Sequence, residues 1–274
     1  MRTAFTLVKT ACRCAASVFG APMYEAGGMG LIYLFGCVLF IASITLLTVV
    51  APLLGVGSPE PNEKQVSVLQ MLRVPTLWAV TSLKAMVVGT TFLFEPLWPL
   101  VLRGQYDLPM LMYGFICQIP IMGGAVSSLL LGAWLYTCIG CRAQLCVGGF
   151  IFVLCLLFFG PSQLLGFVPK SIAQFLIHAS LAAVAFGLIF VVSPVVSLLV
   201  MAKDAGLSKK ECSGSLAATD RLFCSIFALI LPNVGMLLYD ASSAETFSTV
   251  TAAFALAILV PLALMLTRYD EKEK

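Results

Sequence analysis

Residues 20–28 read GAPMYEAGG, and residues 235–243 read GMLLYDASS. Both carry a glycine, a tyrosine four positions on, then an acid and an alanine: Gly20, Tyr24, Glu25 and Ala26 in the first, Gly235, Tyr239, Asp240 and Ala241 in the second. Tyrosine is common where a helix leaves a membrane, because its ring anchors at headgroup level. The echo is therefore either a shared interface habit or the trace of a duplicated unit. Its setting along the chain decides between them.

The setting is lipid. Of 274 residues, 60% are apolar and only 11% are charged, against about 25% charged in a soluble domain. So much apolar surface has no place to hide in water, which implies an all-α chain that crosses a bilayer repeatedly. The net charge of +3 is small, and the basic residues fall in short loops rather than in one patch. Nucleic acid is not an expected partner. The ten cysteines do not form a metal or redox framework. Cys37, Cys117, Cys146, Cys155 and Cys224 sit inside apolar runs, where a thiol acts as a small hydrophobe. Cys138 and Cys141 have C-x-x-C spacing but no second pair, and the single histidine, His178, lies in another apolar run. No metal or other cofactor is expected. No HExxH, His-rich or Ser-His-Asp pattern is visible, so the chain does not read as an enzyme.

Eight segments are long and apolar enough to span: 3–22, 30–54, 76–98, 109–137, 143–165, 171–201, 213–239 and 245–267. Lys9 and Arg13 interrupt the first. With the N-terminus in the cytosol, one side of the membrane holds Arg2, Lys64, Arg73, Arg142, Lys203, Lys209, Lys210, Arg268, Lys272 and Lys274, and the other holds Arg103 and Lys170. That bias places both termini in the cytosol. The longest loop, GVGSPEPNEKQVSVLQMLRVP, covers 55–75 and reads as a cytosolic linker with two spans before it and six after. The domains are then 1–54, the last two spans of one group; 55–75, the linker; 76–267, a six-helix bundle; and 268–274, a cytosolic tail. The echo now falls at the ends of the first and seventh spans, a period of six. Parallel six-helix repeats, joined by a long loop, are the plan of the major facilitator transporters. On that plan four helices belong before residue 1, supplied by a longer chain or by a partner.

Ionisable residues inside spans are costly and mark candidate sites. Glu95, in FLFEPLWPLVL, precedes Pro96 and Pro99, which remove backbone donors and suggest a broken helix end with spare acceptors. It suits a proton or an organic cation, or else a carboxylate at the headgroup boundary. Asp220, in LAATDRLFCSIF, lies about two turns into its span, with Arg221 beside it but about 100° around the helix. The pair forms part of a site or sits at the cytosolic rim. Lys84 precedes Glu95 by eleven residues, roughly 16 Å along one stripe. It either neutralises a carboxylate on another helix or lies near the cytosolic end, and the second reading is favoured. Tyr113, Asn233 and His178 read as hydrogen bonds between helices.

These residues carry a resemblance. GAPMYEAGG is similar to the turn between helices five and six of the vesicular amine transporter branch of the major facilitator superfamily. FEPLWPL resembles the segment with an acid and proline in its helix seven. TDRLFC resembles the Asp-bearing segment of its helix eleven, and LPNVGMLLYD the Gly-rich end of that helix. The resemblance implies a vesicle membrane and an exchange of luminal protons for cytosolic amines or polyamines, with Glu95 and Asp220 binding proton and substrate in turn. Burial raises a carboxylate's proton affinity, which lets such a group load and unload near neutral pH. Where monoamine members carry a further acid in helix ten, this chain reads GLIFVVSPVVS. The other reading is a non-transporting scaffold or regulatory membrane protein on a degenerate or truncated transporter fold.

Overall fold

In the computed structural model, the described residues are 26, 27, 31, 34, 35, 37, 38, 41, 42, 45, 67–106, 110–160, 165 and 171–267. Gly20, the span at 3–22, most of the linker and the tail at 268–274 lie outside them. The chain divides into two units, Met1–Lys64 and Gln65–Lys274. In the first, the described residues between 26 and 45 are helical. In the second, no strand occurs among the described residues.

The second unit opens with a short helix, α1 (Val68–Met71), inside the stretch read as linker. Ser67 and Gln70 cap each other's backbone there: the Ser67 hydroxyl accepts from the start of the helix, and Gln70 Oε1 accepts from Ser67 N–H at 3.3 Å. Ser-x-x-Gln before an apolar residue is a capping box. Five longer helices and one composite segment follow. They are α2 (Pro75–Tyr106), α3 (Met110–Ser127) continuing through a π-helical turn at Ser128–Gly132, α4 (Ala133–Leu157), α5 (Ile172–Asp204), α6 (Lys209–Ala241) and α7 (Ala244–Leu266). Among the described residues, five helices are long and apolar enough to cross a membrane. The chain is an all-helical, multi-pass membrane protein. Prolines 96, 99, 120, 194, 232 and 261 all lie inside helices, as lipid-embedded bundles tolerate.

One of these helices is folded back on itself. Gly140 has φ 78° and ψ 166°, the one non-helical residue within α4. Before it, contacts run parallel to α5: Gly123 faces Ala183, Gly124 faces Phe186, and Gly132 faces Val191. After it they run antiparallel: Gly148 faces Leu188 and Ile189, while the carbonyl of Cys155 bonds His178. The chain must therefore reverse between these sets, and Gly140 has the backbone that only glycine adopts without strain. The unit thus has six arms, with the turn falling inside the 138–142 gap read from the sequence. Arg142, just past the turn, donates from Nη1 to the Leu266 carbonyl at the end of α7, at 3.1 Å.

The core is built by close backbone approach. α5 is central, packing on α2, α3 and α4. A Cβ at Gly187 would come within 2.9 Å of the Ser128 amide and the Gly124 carbonyl. There the Ser128 hydroxyl donates to the Gly124 carbonyl at 2.6 Å, competing with the helical ladder where the π-turn begins. α2 and α6 form the most extensive pair and run parallel. Gly89 lies against Phe227 and Leu93 against Gly235, while Met71 at the end of α1 lies beside Thr219.

Candidate functional site: an ion pair between two spanning helices

Lys84 lies in the third turn of α2, and Asp220 lies at the start of the fourth turn of α6. Because the two helices are parallel and in register, the side chains meet. Lys84 Nζ donates to Asp220 Oδ2 at 2.5 Å. The lysine side chain is 12% exposed and the aspartate 25%. The same ammonium stands 5.5 Å from the ring centre of Phe190 on α5, within cation–π range. Three helices thus converge on one positive charge. The sequence reading left open whether Lys84 neutralises a carboxylate on another helix and favoured a place near the cytosolic end; its ammonium is paired with a carboxylate on another helix. The physical reason is length: a four-carbon stem reaches across a helix pair whose backbones are drawn together at Gly89.

Arg221 is exposed on α6, turned away from the pair as a neighbour about 100° around the helix should be. Glu95 does not share this site. It is exposed on α2, eleven residues beyond Lys84, roughly 16 Å along the axis at 1.5 Å per residue. The helix does not break where Pro96 and Pro99 suggested. α2 continues to Tyr106, so Glu95 sits within a helix rather than at its end. The prolines cannot donate to the carbonyls four residues back, those of Phe92 and Glu95. Gly235 is not a helix break either. It lies inside α6 and is buried against Leu93, whose Cδ2 would be 2.6 Å from an added Cβ.

A second polar cluster was not read as a site. His178 on α5 is fully buried, its Nδ1 2.7 Å from the Cys155 carbonyl and its Nε2 3.1 Å from Trp98 Nε1. The indole can only donate and the carbonyl can only accept. The ring must therefore carry its proton on Nδ1 and be neutral. Phe94, Phe159 and Phe175 surround it, with ring centres 5.0, 5.3 and 5.7 Å away. Nearby, Gln174 Nε2 donates to the carbonyls of Phe158 and Phe159, and Gly160 N–H donates to Ser248 Oγ at 2.7 Å. The cluster ties α2, α4, α5 and α7 at one end. His178 is thus a hydrogen bond between helices, whereas Asn233 donates within its own helix, to Leu229, at 2.6 Å.

Cys138 is exposed and Cys141 buried, on opposite sides of the Gly140 turn. Among the described residues, no group of three or more His, Cys, Asp or Glu is placed to hold a metal ion. No protein-family model and no curated protein matches the sequence.

Proposed function

We propose that the protein is a membrane transporter of the major facilitator type that exchanges protons for an organic cation, an amine or polyamine, by alternating access. The observation that carries this reading is the Lys84–Asp220 pair. A carboxylate held between spanning helices, incompletely buried and already bound to an ammonium, is chemically suited to an ammonium substrate or a proton. Six arms joined as one bundle would form one half of such a carrier, rocking against another half. Glu95, exposed about three turns away, would face a separate part of the path. The resemblance of the short motifs supports the family and a vesicle membrane, and the bias of Lys and Arg between the loops supports cytosolic termini.

The test is uptake of labelled spermidine or serotonin into vesicles carrying the protein, driven by an inside-acid proton gradient. Uptake should fall when a protonophore collapses the gradient, and should fall with Glu95→Gln. Uptake indifferent to both would overturn proton exchange and the role of Glu95.

A scaffold without transport is the second reading, and one observation favours it. The candidate carboxylate is already neutralised by the chain's own Lys84. A protein that never binds substrate would hold such a pair permanently.

A further inference from the structure

We infer that Lys84 is a tethered competitor for a cation seat formed by the Asp220 carboxylate and the Phe190 ring; this rests on the transport reading above. The seat has both elements that recognise an organic ammonium. Asp220 on α6 supplies the opposite charge, and Phe190 on α5 supplies an aromatic face. Neither belongs to the helix that carries the lysine. The ammonium enters from α2 on a flexible stem, and its hydrogen bond in the structure is to Asp220 Oδ2.

Two features make the seat exchangeable. It is not sealed, since Asp220 is 25% exposed and Phe190 40%. And the lysine ammonium is carried on a flexible four-carbon stem, so its withdrawal is in the first place a side-chain motion. An incoming primary ammonium on a methylene chain would reproduce the ion pair and the ring contact that Lys84 makes. The seat therefore favours an alkyl ammonium of the polyamine class. A tether holds its ammonium at an effective concentration in the millimolar range, so the free ligand binds only by outcompeting it. Lys84 keeps the seat neutral when empty and sets how much substrate is needed to fill it.

The experiment is equilibrium binding of labelled spermidine to the full chain in lipid nanodiscs. It compares wild type with Lys84→Met, Lys84→Gln, Phe190→Ala and the double variant Lys84→Met with Asp220→Asn. Removing the competitor should tighten binding at least about tenfold in Lys84→Met. Lys84→Gln, which keeps a hydrogen-bond donor for Asp220 without the charge, should tighten it less. Phe190→Ala should weaken it, and the double variant should lose it. Binding by Lys84→Met where wild type shows none would also support the competitor. If wild type binds and neither Lys84 variant binds more tightly, the competitor is overturned while the transport reading stands. If no variant binds, both fall. Should Lys84→Met fail to fold, Lys84→Gln carries the comparison alone.

Discussion

Trp98 on α2 donates to His178 on α5, and His178 passes the bond on to the backbone of Cys155 on α4. One neutral ring thus joins three helices inside an aromatic shell. Removing it leaves the indole N–H buried without its partner, at about 1–3 kcal/mol, while the Cys155 carbonyl keeps the Phe158 N–H at 3.2 Å. His178→Leu, close in volume, should lower the thermal unfolding temperature markedly in detergent, and Trp98→Phe should lower it less. An unchanged midpoint for His178→Leu would mean the bonds are not formed.

Gly140 should tolerate no side chain. Its φ of 78° with ψ of 166° lies where L-residues are held only at about 1–3 kcal/mol of strain. Gly140→Ala should destabilise by that amount in a denaturation titration, whereas Gly214→Ala, with nothing within 4 Å of an added Cβ, should not. Equal stability of the two variants would contradict the reversal.

The parallel register of α2 and α6 can be cross-linked. Leu93 and Gly235 touch, so cysteines at both positions, in a background stripped of native cysteines, should form a disulfide on mild oxidation. Leu93→Cys with Ala217→Cys, about five turns out of register at 3.6 residues per turn, should not. The reverse outcome would move the helices.

Much of the fold was legible because lipid imposes a simple rule. Each span must satisfy its own backbone and present apolar side chains, so the segments from 76 to 267 fall close to the observed helices. The breaks were harder. Pro96 and Pro99 looked like a helix end, yet α2 continues through them to Tyr106. The reversal at 140 left only a short gap in hydropathy, and its signal is a single glycine. The capping box at Ser67–Gln70 was readable, but its polar surroundings hid it. Sites were least legible. Lys84 and Asp220 are 136 residues apart, and no periodicity reports which residues of two helices meet. The His178 cluster left a trace, since Gln174 and His178 are four apart on one helix face, but its partners lie on other helices.

The ion pair should also be visible in stability. Removing either partner strands a partly buried charge, and a hydrogen bond to a charged group is worth about 1.5–3 kcal/mol. Lys84→Met and Asp220→Asn should each destabilise, and the double variant should cost less than their sum. Strict additivity would mean the two side chains do not interact.

The transport account is tested most directly by uptake of labelled spermidine into proteoliposomes under an inside-acid gradient, comparing wild type with Asp220→Asn. The account predicts gradient-driven uptake by wild type and none above background for Asp220→Asn, at equal amounts of folded protein. Uptake by Asp220→Asn equal to wild type would contradict it.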